Sequence, residues 1–125
     1  MIAQSKADEI AKNIMTWLEQ NAKKVVLKKS DGTVLAETTN FQVAKDSNNQ
    51  PRVWHANGYS ICRADAYFHL NSSPSADIIV DIVDVVDQNN NPLLRNYYIG
   101  SYNTQDFTVA FEVAVPYIVD IGGSQ

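Results

Sequence analysis

Residues 59–70 read Tyr-Ser-Ile-Cys-Arg-Ala-Asp-Ala-Tyr-Phe-His-Leu. From position 62 onward, small or apolar side chains alternate with polar or charged ones. The apolar series consists of Cys62, Ala64, Ala66, Phe68 and Leu70, and the other series consists of Arg63, Asp65, Tyr67 and His69. Successive side chains of a β-strand point to opposite faces, so this stretch predicts a strand with one face in the core and the other in water.

The same alternation continues through residues 107–121, where Phe, Val, Tyr and Ile fill the odd-numbered positions. This segment predicts the longest core strand of the chain. Pro116 lies on its outer series, where a residue without an N–H marks a bulge, a bend or a passage between sheets. The tail 122–125, Gly-Gly-Ser-Gln, is flexible by composition.

The N-terminal part of the chain has a different period. Residues 5–21 carry apolar side chains at three- and four-residue spacings, which predicts an amphipathic helix. These side chains are Ala7, Ile10, Ala11, Ile14, Trp17 and Leu18. Ser5 and Asp8 have the spacing of a capping box at the start of that helix.

Turn residues divide the middle of the chain into further strands. Segments 24–29 and 33–39 flank Ser-Asp-Gly, which predicts a hairpin, and segments 41–45 and 52–56 flank a polar loop, which predicts a second, looser one. Segment 77–87 is rich in Ile and Val, but Asp81 and Asp84 fall on opposite faces, so we expect this strand near an edge or a polar rim. Segment 93–100 predicts another strand.

Length and composition predict one domain spanning residues 1–125. The chain has 125 residues, of which 45 % are hydrophobic and 19 % charged, values typical of a globular protein. The fold class is α+β and predominantly β. The N-terminal amphipathic helix is followed, over residues 24–121, by an antiparallel β-sandwich or partly open barrel of about eight strands, with an α+β roll as the competing arrangement.

Charge and targeting signals exclude several classes of partner. The net charge of −4 is scattered and forms no basic patch, which argues against a nucleic-acid partner. No stretch has the roughly 20 apolar residues of a membrane-spanning helix, and the N-terminus lacks the features of a secretory signal. With the single cysteine Cys62, these features predict a cytoplasmic protein with no membrane partner.

The potential metal ligands do not form a convincing site. Strand parity separates Cys62 from Asp65 and His69, so Cys62 is expected to be a buried, inert thiol. The acids of 77–87 lack the spacing of a calcium loop and are better explained as solubilising charges, although calcium is the alternative. We therefore predict no metal and no cofactor.

Aromatic side chains form the more informative set, which consists of Trp54, Tyr59, Tyr67, Tyr97, Tyr98 and Tyr102. Such side chains offer rigid contact area with a polar tip, which suits a sugar ring or a protein surface, although some of them can equally fill the core. The candidate binding residues are Trp54, Tyr59, Arg63, Asp65 and Tyr67.

No catalytic motif is present, and the two histidines, His55 and His69, require no acid–base role. We therefore predict a non-enzymatic structural or assembly protein that contacts copies of itself or other subunits. A short helix ahead of a β-sandwich looks like small head, connector or tail subunits of tailed bacteriophages, a resemblance of architecture that implies a virion protein. The alternative is a carbohydrate- or peptide-binding module, and a small histidine-dependent hydrolase or isomerase ranks third.

Overall fold

The computed structural model describes residues 1–120, with residues 98 and 99 described by their backbone alone. The elements are α1 (Gln4–Asn21), β1 (Lys24–Lys28), β2 (Val34–Thr38), β3 (Phe41–Val43), β4 (Trp54–Ala56), β5 (Tyr59–His69), β6 (Ile78–Val86), β7 (Pro92–Tyr102) and β8 (Asp106–Pro116). The predicted α+β, predominantly β architecture is confirmed. The predicted tail at 122–125, and Ile121 before it, lie outside the described residues.

The strands form two antiparallel sheets, one of which is a curled half-barrel. The first sheet has the order β2-β1-β6-β7. In the second sheet, β5 is central, β8 pairs along one of its edges, and β3 and β4 pair with it as well. The chain turns the corner from β2 to β3, where the Thr38 hydroxyl donates to the Tyr67 carbonyl at 2.7 Å.

The predicted pairing of 41–45 with 52–56 is wrong, whereas the β1–β2 hairpin is confirmed. β3 pairs with residues 64–66 of β5 and β4 pairs with residues 59–61, so the two short strands lie end to end along β5. Among the described residues, the two segments meet only at the base of the loop, where Lys45 bridges Pro51 and the Arg52 N–H donates to the Ala44 carbonyl at 2.9 Å. Alternation within a segment fixes its faces but does not choose its partner strand.

The core lies between the two sheets and α1. The helix contributes Ala7, Ala11, Met15 and Leu18, all of them buried. The even-numbered side chains of β5 from Cys62 to Phe68 are buried against them, as are Val109, Phe111 and Val113 of β8. The two faces that the alternation of 59–70 predicts are therefore present as expected.

The predicted capping box is wrong because the helix begins one residue earlier. The N-cap is Ala3, which makes no side-chain cap. Asp8 consequently lies beyond the first turn and instead accepts hydrogen bonds from Ser60 at 2.5 Å and from His55 at 2.8 Å. Burial raises the pKa of Asp8, but these hydrogen bonds outweigh it and leave the pKa below its ordinary value. Asp8 therefore ties the helix to the sheet.

β6, predicted to lie near an edge or a polar rim, is an interior strand one place from the edge strand β7. β6 lies between β1 and β7, and the Asp84 side chain is 0 % exposed. Lys28 on β1 donates to Asp84 at 2.8 Å, and Arg95 on β7 donates through two nitrogens at 2.6 and 2.7 Å. A carboxylate can occupy an interior strand when both neighbouring strands supply a cation.

Two loops share one sequence pattern and one conformation. Residues 46–51 read Asp-Ser-Asn-Asn-Gln-Pro, and residues 87–92 read Asp-Gln-Asn-Asn-Asn-Pro. In each loop the aspartate accepts backbone N–H groups two and four residues later, at 2.8 to 3.1 Å. The second asparagine of each pair is left-handed, with φ of 61° at Asn49 and 63° at Asn90. Asparagine tolerates this conformation better than most residues do.

The last strand ends at Pro116, five residues before the predicted end. Beyond it, Ile2 forms a parallel bridge with Tyr117, and the Ile118 N–H donates to the Ile2 carbonyl at 2.8 Å. Side chains at 118 and 119 are exposed, so the alternation there does not mark a core strand.

Candidate functional site

The candidate site lies between β7 of the first sheet and β8 of the second. These two strands follow one another in the chain, yet among the described residues β7 pairs with β6 and β8 pairs with β5. Near their connecting turn the rings of Tyr102 and Phe107 stack at 4.6 Å. Along the strands lies a cleft of about 980 Å³, which we call the seam. Its lining consists of Tyr59, Arg63, Val83, Arg95, Asn96, Tyr97, Tyr102, Thr108, Val109, Ala110, Glu112 and Ala114.

The backbone of β8 turns one set of hydrogen-bonding groups toward the seam. Along an antiparallel strand, the N–H and C=O groups of successive residues point to opposite edges. The N–H of Tyr117 donates to Gly58, beside β5, and the N–H of Glu112 donates to Asn96 on β7. The even-numbered residues of β8 therefore direct their backbone groups toward β7.

The Asn96 side chain bridges the two strands at Glu112. Its Nδ2 donates to the Glu112 carbonyl at 3.1 Å, and the Glu112 N–H donates to its Oδ1 at 2.7 Å. An asparagine amide thus supplies the donor and the acceptor that a residue of a paired strand would supply from its backbone.

Two other features protect the far end of the same edge. Pro116 has no N–H to offer, and the backbone of Ile2 pairs next to Tyr117 and Ile118.

Ala110 and Ala114 flank Glu112, and in the part of the chain that the structure describes their backbone groups have no partner on the seam side. An unpaired edge of this kind is a template for another strand.

The charges around the seam nearly cancel. Arg63 lies directly across from Glu112 in the β5–β8 pairing, and its Nε is 4.0 Å from Asp65. The Arg95 guanidinium donates hydrogen bonds to the Asp84 carboxylate. These hydrogen bonds raise the pKa of the guanidinium above its ordinary value. The seam therefore offers no strong field for a highly charged ligand.

The five residues predicted to bind a ligand lie on β4 and β5, on the face away from the core. Trp54 is 39 % exposed, Tyr59 43 % and Tyr67 40 %. The register pairs Trp54 with Ile61, so its side chain shares the outer face with Arg63 and Asp65. The Arg52 guanidinium lies 5.6 Å from the Trp54 ring centroid. Of the five, Tyr59 and Arg63 line the seam, whereas Trp54, Asp65 and Tyr67 lie outside it.

Sequence reasoning placed Tyr97 and Tyr102 only in the general aromatic set, and both line the seam. The side chain of Tyr98 lies outside the described part of the structure. Reasoning from the sequence missed Asn96, Ala110 and Ala114 as site residues. The sequence feature that could have predicted this site is the pair of alanines on the outer series of β8, because small side chains leave the backbone of a strand accessible.

The remaining reactive groups have structural partners. Burial raises the pKa of the Cys62 thiol to about 11, so it is protonated at neutral pH and a poor nucleophile. His55 contacts Asp8, and His69 contacts Asp106 at 2.6 Å on the surface. The Ser60 hydroxyl donates to Asp8 at 2.5 Å. Within residues 1–120, no three His, Cys, Asp or Glu side chains form a group that could hold a metal ion.

Comparison with protein-family models, with curated proteins and with solved structures finds no match to this chain. No helix in the described part of the chain is long and apolar enough to cross a membrane.

Proposed function

We propose that the protein is a non-enzymatic assembly subunit that accepts a β-strand from another polypeptide in the seam. The observation that carries this proposal is the edge of β8, where the backbone groups of Ala110 and Ala114 face a cleft. In recognition by strand addition, main-chain hydrogen bonds supply affinity and side-chain pockets supply specificity.

In this proposal the occupant is one extended segment rather than the edge of a second sheet. At Glu112 the gap between β7 and β8 is spanned by one asparagine side chain, so β7 stands in the way of a whole sheet. The edge from Thr108 to Ala114 comprises seven residues, which at about 3.4 Å each spans roughly 20 Å. The occupant is therefore a terminal segment or a loop of about seven residues.

The lining favours an uncharged segment with alternating side chains. Val83 and Val109 are buried beneath the seam, so inward-facing positions of the segment should be apolar and β-branched. The balanced charges of Arg63 and Glu112 give no preference for an acidic or a basic segment. A peptide that alternates valine and threonine meets these requirements.

The donor segment belongs, in this proposal, to another copy of the chain or to a neighbouring subunit of a larger assembly. The virion of a tailed bacteriophage is the setting we propose, on the likeness of architecture alone. Completing a sheet with a strand from a neighbour joins subunits without requiring a catalytic site.

Binding of a fluorescein-labelled, seven-residue peptide of alternating valine and threonine tests the proposal by fluorescence anisotropy. Ala114→Pro removes one N–H from the edge while leaving the β5 pairing intact, since Pro116 already stands at a position of the same parity. We expect Ala114→Pro to weaken binding at least tenfold, because a main-chain hydrogen bond is lost and the proline ring obstructs the edge (about 1.4 kcal/mol per factor of ten).

Ala114→Ser is the matched control, because it changes the same side chain and keeps the N–H; it should bind like the wild type. A version of the peptide with alternate backbone amides N-methylated should not bind. Equal binding by Ala114→Pro and Ala114→Ser, or undiminished binding of the methylated peptide, contradicts strand addition.

A second candidate function is carbohydrate binding on the outer face of β4 and β5. The observation in its favour is that Trp54, Tyr59 and Tyr67 are each about two-fifths exposed, with Arg63 and Asp65 on the same face. Aromatic rings stack on the apolar faces of sugars, and charged groups bind hydroxyls.

Replacing Trp54 distinguishes a sugar platform from a structural tryptophan. If the face binds a glycan found by array screening, Trp54→Ala should abolish that binding with little change in thermal midpoint. Trp17→Ala is the control, because Trp17 is an exposed tryptophan on α1, remote in sequence from this face. Unchanged glycan binding, or a large loss of stability, argues against the carbohydrate function.

A further inference from the structure

We propose that Asn96 is a latch that closes the seam until a strand displaces it. This inference rests on the proposed strand-accepting function and assigns its regulation to one side chain. Asn96 lies six residues before Tyr102, and Glu112 lies six residues after Asp106, so the two are directly opposite across the β7–β8 hairpin. The backbones do not pair there, and the side-chain amide fills the gap.

The two hydrogen bonds of Asn96 are those that an incoming strand needs. On the Thr108–Ala114 edge, Glu112 lies midway between Ala110 and Ala114. A strand that pairs with both alanines must also cover the Glu112 N–H and C=O, and those groups are occupied by Oδ1 and Nδ2 of Asn96. The amide must therefore rotate away before the strand can pair along the whole edge.

The latch also explains how the edge is protected in the free protein. A free strand edge invites unwanted pairing, and proteins block such edges with proline, charge or a covering segment. Here Pro116 and the Ile2 bridge cover one end, and Asn96 covers the middle. Asn96 differs from Pro116 and from the Ile2 bridge because its side chain can leave the edge by rotation about its own bonds. Pro116 and Ile2 protect the edge with backbone groups, which do not rotate away in this manner.

Affinity for the valine–threonine peptide tests the latch through Asn96→Ala. Displacing the amide costs two hydrogen bonds in the wild type, so the variant should bind the peptide about tenfold more tightly. Asn103→Ala, which removes an exposed asparagine at the turn of the same hairpin, is the control and should bind like the wild type. Asn96→Asp keeps the acceptor and loses the donor, so its affinity should also rise.

Amide hydrogen exchange of the wild type provides a second measurement that does not depend on a variant folding. The Glu112 amide should exchange more slowly than the amides of Ala110 and Ala114 in the free protein. Unchanged affinity in Asn96→Ala, or a Glu112 amide as fast as its neighbours, overturns the latch. If the latch is overturned but Ala114→Pro still lowers binding, the strand-addition proposal stands and only the latch proposal is wrong. If neither the wild type nor any variant binds the peptide, both proposals are wrong.

Discussion

Asp84 illustrates how a single residue is placed by its neighbours on adjacent strands. Its side chain is fully buried, yet no buried side-chain nitrogen or oxygen among the described residues lacks a hydrogen-bond partner. Hydrogen bonds from Arg95 lower the pKa of the carboxyl against the opposing effect of burial, and those from Lys28 lower it further. The ionised form is therefore the one that the fold stabilises.

The pH dependence of stability follows from this shift. Because the pKa of Asp84 is lower in the folded than in the unfolded chain, where it is about 3.9, its stabilisation is fully present above that pH. The stabilisation is lost as the pH falls through the folded pKa. Asp84→Asn should therefore unfold more easily at pH 7, by about 3 kcal/mol, and the difference should shrink toward pH 3.

Urea unfolding of Asp84→Asn and wild type across this pH range gives the measurement. Asp77→Asn, an exposed residue just before the same strand, is the control and should change stability by less than about 0.5 kcal/mol. A difference between Asp84→Asn and wild type that does not change with pH would contradict the role assigned to the ionised carboxylate.

At the scale of elements, the sequence predicted the helix and most strands, but not every pairing. The alternation of 59–70 and the turn at 30–32 are local signals, and both led to correct elements. The burial of Asp84 depends on Lys28 and Arg95, which come from other segments, so the two acids of β6 predicted only a place near an edge or a polar rim. The seam exists because β7 and β8 do not pair with each other, and no local sequence pattern predicts that separation.

The start of α1 gives a prediction for an element. The backbone of Ala3 is extended, with φ −65° and ψ 151°, which is the conformation of an N-cap residue, but alanine has no side chain to cap with. Ala3→Ser should stabilise the protein by about 0.5–1 kcal/mol, which raises the thermal midpoint by roughly 2–5 °C.

Thermal unfolding followed by circular dichroism checks the predicted cap. Ala3→Val is the control, because it adds bulk at the same position without an oxygen, and it should bring no gain. An equal rise in both variants would point to a cause other than capping.

At the scale of the whole molecule, the two sheets are joined on one side and open on the other. On the closed side, β2 turns into β3 and the Tyr67 N–H donates to the Asn40 carbonyl at 2.9 Å. On the open side, the Asn96 side chain links β7 to β8 through its hydrogen bonds with the Glu112 backbone. Subunits that complete one another's sheets should associate through the open side.

The native mass of the purified protein is the corresponding prediction. Size-exclusion chromatography with light scattering should give a mass above the 13.9 kDa of one chain, increasing with concentration. Ala114→Pro should shift the distribution toward 13.9 kDa, whereas Ala114→Ser should not. A wild-type monomer at every concentration would contradict self-assembly and would leave a different chain as the donor of the strand.

The most direct test of strand addition follows the backbone amides of β8 by NMR while the valine–threonine peptide is added. We predict that the peptide slows hydrogen exchange at the even-numbered seam positions, above all Ala110 and Ala114, and leaves the amides that already pair with β5 unchanged. Binding that instead perturbs Trp54 and Tyr67 on the outer face, or that leaves the Ala110 and Ala114 amides unprotected, would contradict the proposal.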